Sequence, residues 1–266
     1  MLYVSSPIAP NTAKLFFGIV KKLLEELGCR ARIMGEPEVD FRRYRGNLLM
    51  PYVKTLAHEL QGMDNASVVL NGNPGEIMLM ALQEYPKLAK HINRMIFFNC
   101  SLHTGQCDEH MGPHTAMIEI LKQVECTLFR SLAMELVARK FLDSQSGFSV
   151  RNAKRELRKT GYPDLDAVME AREAIVKLTV QAGPGFMSKA MEDWLGLMRR
   201  IDYKSLYALH GEKMYCFCTT LDAERLKEEN LANVFQMRGA KNHTVTLDRP
   251  VTTANVILDV LKGRYD

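Results

Sequence analysis

Apolar positions in the first hundred residues follow two alternating rhythms. Short unbroken runs such as Leu2-Tyr3-Val4 and Val68-Val69-Leu70 have the length and continuity of strands buried on both faces. Between them Phe16, Ile19, Val20, Leu23, Leu24 and Leu27 recur every three or four positions. They predict an amphipathic helix, opened by Asn11 or Thr12 and closed by Gly28. The alternation then repeats. CRARIM, over 29–34, predicts a second strand, and a helix follows over 48–60, stopping near Gly62. A strand over 67–71 leads directly into Gly72-Asn73-Pro74-Gly75. The next helix carries Ile77, Met78, Leu79, Met80, Ala81 and Leu82 with almost no polar face, so it is buried on several sides. Tyr85-Pro86 ends it, and 95–98 reads as a fourth strand. Strand, helix and strand at this spacing predict a parallel sheet.

From 101 to about 200 the rhythm changes, and helical patterns displace strands. Helices are predicted over 117–141, over 165–180 after Asp164, and over 188–201, which holds the single Trp194. Gly183-Pro184-Gly185 separates the last two. Strand signals return at 206–209, ending in His210-Gly211, followed by a helix over 221–231, a strand over 234–237 and a closing helix over 254–261. The fold class read from this order is α/β: a mainly parallel sheet of about six strands flanked by helices. Its core comprises 1–100 and 204–266, and 101–203 forms an inserted helical cap.

Composition narrows the picture without deciding it. With 266 residues, 47% hydrophobic and 25% charged, the chain can bury a large core without disulfides or metals. A net charge of +4 permits an anionic ligand but does not demand nucleic acid, which is not the expected partner. No apolar stretch reaches the length of about 18 residues that a membrane span needs. The start, MLYVSSPIAPN, lacks the basic and apolar regions of a secretory signal. Six scattered cysteines read as reduced thiols, so a cytoplasmic location is expected. No motif calls for a cofactor. Oligomeric state is not legible.

Particular segments then gain meaning together. VVLNGNPGEIMLMALQEYP followed by INRMIFFN resembles the nucleophile-elbow unit of the α/β-hydrolase superfamily, in which a strand turns sharply into a helix and another strand follows. YALHGEKM resembles the strand that delivers the triad acid, and GAKNHTVTLDRP with VILDVLKG resembles the loop that presents the triad histidine before the last helix. The resemblance spans the whole chain, with the insertion at the usual cap position and the superfamily's first two strands absent. It implies a site built from the loop Ser5-Ser6-Pro7-Ile8-Ala9-Pro10, the bend at Gly72-Asn73-Pro74, the end of the fourth strand at Cys100 and Ser101, and His243.

At that bend the superfamily carries a nucleophile in Gly-x-Ser-x-Gly. This sequence reads Asn71-Gly72-Asn73-Pro74-Gly75, so the slot falls on Gly72, Asn73 or Pro74. None of the three attacks a carbonyl: glycine and proline have no nucleophilic side chain, and an amide nitrogen is far too weak. In the Asn73 register the next residue, Pro74, also lacks the N–H that an oxyanion needs. The acid position after Gly211 falls on Met214; Glu212 or Asp222 are substitutes, although Asp222 also suits a helix start. His243 alone survives, either as a general base with an ordinary pKa near 6.5 or as a loop residue bonded to backbone.

Other constellations carry weaker chemistry. His103, Cys107, His110 and His114 are spaced as a metal set or as a polar loop running into a helix. Cys100 or Ser101 is a candidate for a relocated nucleophile, against the commoner role of cysteine as a small buried hydrophobe. Arg151, Lys154, Arg155, Arg158 and Lys159 share one helical face, which is either solvated or binds phosphate or an acidic partner. Arg42, Arg43 and Arg45 lie on a loop near the cap. Phe186, Met187, Met191, Trp194 and Met198 either close an apolar pocket or pack a helix on the core.

The expected function is therefore non-hydrolytic binding of a small molecule, anionic if the basic groups converge, or of a protein partner, in the cleft between core and cap. Ser6, Pro7, Gly72, Asn73, Pro74, Cys100, Ser101, His103, Met214 and Trp194 are the expected ligand contacts. The alternatives are a non-covalent enzyme (lyase, isomerase, cyclase or cofactor-free oxygenase) with His243 as base, and an esterase-like hydrolase with a relocated Cys or Ser nucleophile.

Overall fold

The computed structural model describes residues 1–4, 11–41, 43–100, 102, 106–140, 142, 149–159, 165–218, 220–228, 231, 233–237 and 245–265; of 106–111, 159, 165, 220 and 221 only the backbone is described. Six strands form one sheet: β1 (Leu2–Tyr3), β2 (Arg32–Ile33), β3 (Ala66–Asn71), β4 (Ile92–Phe98), β5 (Met214–Cys218) and β6 (Val234–Gln236). Their order is β2-β1-β3-β4-β5-β6, and all neighbouring pairs run parallel. The predicted sheet is thus present, with parallel strands buried on both faces as their unbroken apolar runs require.

The period of two along each strand sorts side chains into two cores. Val68, Leu70, Phe97 and Cys216 face the layer built by α2 (Met50–Gln61) and α3 (Pro74–Glu84). Val69, Ile96, Phe98, Tyr215 and Phe217 face α1 (Ala13–Glu26) and the last helix, Pro250–Leu261. Gly28 ends α1 at φ 82°, where the Cys29 N–H reaches the Leu24 carbonyl at 2.9 Å and the Gly28 N–H reaches that of Glu25 at 3.0 Å. That pair of bonds satisfies the orphan carbonyls of the last turn. All of 74–82 in α3 is buried, as its missing polar face predicts.

Between β4 and β5 run α4 (Gln106–Glu125), α5 (Arg130–Lys140), α6 (Val150–Lys159), α7 (Leu165–Ala182), α8 (Pro184–Met198) and α9 (Tyr203–His210). The inserted helices divide between the two layers. Ile118, Leu121, Trp194 and Leu197 of α4 and α8 join the α2/α3 core. Ala138, Ala153, Leu157, Val168 and Ala171 of α5, α6 and α7 join the α1 core. The chain closes through α10 (Thr220–Glu228), β6, α11 (Val245–Asp248) and α12 (Pro250–Leu261). Among the described residues no helix is long and apolar enough to cross a membrane.

Two sequence expectations need correction. The single helix over 117–141 is two helices, α4 and α5, broken at 126–129. The strand expected at 206–209 is the helix α9. Tyr203, Leu206 and Tyr207 are buried at helical spacing, and the Asp202 carboxylate caps the start by accepting the Ser205 N–H at 3.1 Å. An apolar run of four residues does not by itself separate strand from helix. The strand lies later, at Met214–Cys218, with all five residues buried.

Candidate functional site

The bend after β3 is set by two glycines with different duties. Gly72 has φ 73°, in the left-handed region, which side chains enter only at a cost. Its N–H donates to the Phe98 carbonyl at 3.0 Å, and its own carbonyl accepts the Gly75 N–H at 2.9 Å. Asn73 is already helical (φ −52°, ψ −27°) and starts α3, with Pro74 at the first turn, where a missing N–H costs nothing. Gly75 is needed for space: a Cβ there would lie 2.7 Å from the Cys100 Cβ.

The positive-φ apex is Gly72, and it carries no side chain. The residue after the apex is Asn73, whose backbone has an N–H, so the absence of one at Pro74 removes no donor from this position. Asn73 Nδ2 is buried and has no hydrogen-bond partner among the described residues.

The strand beneath the bend is tied to two other segments. Asn71 Nδ2 donates to Thr246 Oγ1 at 3.4 Å, and the Tyr3 phenol hydrogen-bonds with both Asn71 and Thr246. Burial pushes the Tyr3 phenol well above its usual range, so it stays protonated. Tyr3 ends β1, two residues before the segment 5–10, which lies outside the described residues. Thr246 stands three residues after His243. The polar cluster therefore joins the ends of β1 and β3 to the first turn of α11.

Cys100 sits against Gly75 and is only 6% exposed. Burial, followed by the neighbouring Glu76 carboxylate and the Cys216 thiol, pushes its thiol well above the ordinary range, although the N–H groups of Gly72 and Gly75 pull the other way. At neutral pH the sulfur is a thiol, and thiolate is the nucleophilic form. Cys216 and Cys218 are likewise buried in β5.

Met214, read from sequence as the acid position, lies elsewhere. It pairs with Met95 at the start of β5, roughly 13 Å of strand from the end at Cys218. Beyond that end stands Asp222, in the first turn of α10; burial, followed by the Asp222 charge, pushes the Cys218 thiol up to about 12. The sequence offers Asp222 only as a substitute, behind Met214, because its strand signal falls eight residues earlier, before His210. The alternating apolar stretch MYCFC was the signal that would have found it.

The remaining expected residues are scattered. Trp194 is buried between α4 and α8, its ring 4.9 Å from that of His114. Met187, Met191 and Met198 are buried beside it in the same core. Among the described residues no group of three His, Cys, Asp or Glu could hold a metal ion. Ser6, Pro7, Ser101, His103 and His243 lie outside the described residues, as does Arg42. Arg151, Lys154, Arg155 and Arg158 form a basic face on α6.

A cleft of ≈790 Å³ opens between the loop before α2 and the inserted helices. Asn11, Phe41, Tyr44, Arg45 and Leu48 line one side; Glu125, Leu178, Gln181, Phe186 and Lys189 line the other. Asn11 itself adopts φ 60°, held by its N–H to Glu36 Oε1 at 2.9 Å, while the Tyr52 hydroxyl donates to Glu36 Oε2 at 2.7 Å. Burial raises the Glu36 pKa, and these two bonds partly offset it.

No family model and no curated protein matches the sequence. Solved structures do match in shape. A carboxylesterase from the thaumarchaeon Nitrososphaera gargenis superposes with a TM-score of 0.63 at 14% identity, covering 98% of this chain and 89% of that one. MenH from S. aureus gives 0.61 at 14% identity, over 100% and 94%. A thermophilic esterase from Thermogutta terrifontis gives 0.51 at 12%, over 100% and 89%. The fold is that of the α/β-hydrolases. At the strand-to-helix bend after β3 the residue with positive φ is Gly72.

Proposed function

We propose that the chain is a non-hydrolytic protein of this fold that binds a small molecule in the cleft between the sheet domain and the inserted helical cap. One observation carries the reading: the apex of the bend is Gly72, at φ 73°, so no side chain stands where an acyl-enzyme would form. The buried, protonated Cys100 thiol supports setting aside a relocated cysteine. The cleft supports a ligand role because it combines aromatic walls with a few convergent polar groups.

A second reading is favoured by the Asn71–Thr246 hydrogen bond. It fixes the segment following His243 beside the bend, which suits a non-covalent enzyme using His243 as base. The protein neighbours named as esterases act on esters themselves; their activity does not extend to a chain with glycine at the bend.

Native mass spectrometry of the freshly purified protein tests the first reading. A small molecule is expected to co-purify and to be lost in Leu178→Arg, which fills the cleft. Absence of any bound species, together with ester turnover by the wild type, overturns it. Turnover of a non-ester substrate that is abolished by His243→Ala selects the second.

A further inference from the structure

We propose that the cleft takes an anionic ligand with an apolar, preferably aromatic body, its acid group held by Arg45 with Lys189 alongside and its body laid against Phe41 and Phe186. This rests on the cleft-binding reading above and adds the class of ligand.

The charges lining the cleft are unequal in what they have left to offer. Glu125 is committed: it pairs with Arg130 at 3.1 Å and accepts the Gly185 N–H at 3.0 Å. Lys189 is shared, its Nζ lying 3.0 Å from Asp193 Oδ2. Arg45 has no acidic partner among the described residues. Its guanidinium is a planar fork that matches a carboxylate, sulfonate or phosphate with two parallel hydrogen bonds. A cation would meet Arg45 and Lys189 as like charges, so the lining selects by sign.

The loop that carries Arg45 is fixed before any ligand arrives. The Leu48 N–H donates to Asp193 Oδ2 at 2.9 Å and Asn47 Nδ2 donates to the Asp193 carbonyl at 3.0 Å. One residue of α8 therefore clasps the loop from the opposite wall while also orienting Lys189. The segment beside Arg45 and the Lys189 ammonium are thus held across the same gap, which lowers the ordering cost of binding. The apolar part is equally built. Phe41 stacks on Tyr52 with centroids 5.8 Å apart, and Phe186 meets it edge-on at 5.9 Å, one ring from each wall. These rings offer a corner to a flat apolar group.

Two naphthyl dyes of nearly the same skeleton separate charge from apolar contact: 8-anilino-1-naphthalenesulfonate, an anion, and N-phenyl-1-naphthylamine, which is neutral. Fluorescence titration of the full chain should show the anion binding more tightly. Arg45→Gln should weaken the anion about five- to tenfold and leave the neutral dye unchanged, with Arg45→Lys recovering part of the loss. Phe186→Ala should weaken both. Melting curves of each variant show that the fold is intact. If Arg45→Gln and Lys189→Gln leave the ratio of the two affinities unchanged, the anionic class is overturned while the cleft stands. If Phe186→Ala and Leu178→Arg leave both dyes bound as in the wild type, the dyes sit elsewhere and the cleft-binding reading fails with it.

Discussion

The end of β3 and the end of β5 differ in the chemistry they carry. At β3 the chain places Gly72 at the apex of the bend, a residue that relieves backbone strain and offers no reacting atom. At β5 a carboxylate, Asp222, follows within one helical turn, and the next strand is followed in sequence by His243. One end of the site is chemically blank; the other keeps residue types suited to orienting a proton acceptor. The contrast teaches that one sheet can end two of its strands in residues of very different reactivity, because fold does not dictate the chemistry placed on it.

The sharpest way to break this comparison is to restore the missing group. Gly72→Ser should raise hydrolysis of a short-chain nitrophenyl ester on the order of a thousandfold over the wild type, if the far end is intact, because a triad as a whole is worth about 10⁶. The serine would also cost about 1–2 kcal/mol of stability at positive φ. A folded variant with no gain in rate would show that Asp222 and His243 do not work as a pair.

A second prediction concerns pH. Asp248, the last residue of α11, is buried beside Arg249 and Glu156; burial dominates and raises its pKa to about 6. Because the folded pKa lies above the unfolded one, the stability it contributes is full below about pH 4 and is lost as pH rises through about 6. Asp248→Asn should therefore stabilise the protein at pH 7 to 8, by at most about 3 kcal/mol, and make no difference near pH 4. Denaturant melts at the two pH values measure this, and an equal effect at both would place the titration elsewhere. The outcome sharpens the comparison because Asp248 lies in the segment that follows the His243 loop.

A smaller effect is expected at the tie between the two ends. Thr246→Val removes the acceptor of the Asn71 amide and leaves buried polar groups at Asn71 and Tyr3 with fewer partners. A loss of about 1–2 kcal/mol is expected, seen as a lower denaturation midpoint at unchanged slope. No loss would mean that α11 is held independently of the bend.

Much of this was legible in the residues, and the failures have physical causes. The parallel sheet followed from apolar runs such as 67–71, because strands buried on both faces leave no alternation to misread. The bend was visible in Asn-Gly-Asn-Pro-Gly, yet its apex was not, since only φ distinguishes the three candidate positions Gly72, Asn73 and Pro74. The 203–210 segment was misread because Leu206, Tyr207 and Leu209 suit either period; the Asp202 cap and the 69% exposure of Leu209 decide it as helix. That slip put Met214, at the start of β5, ahead of Asp222, which follows the strand's end. The Met and Trp194 stripe proved to be helix packing in α8, with Phe186 turned to the cleft. The clasp of Asp193 on 47–48 joins residues about 145 apart in sequence, a pairing that no local pattern encodes.

The central claim, that the wild-type bend cannot form a covalent intermediate, is tested most directly by intact-protein mass spectrometry after exposure to a fluorophosphonate probe. The account predicts an unmodified mass for the wild type and a single adduct at position 72 for Gly72→Ser. A stoichiometric adduct on the wild-type protein, mapped to Ser101 or any other residue and blocked by heat unfolding, would contradict it.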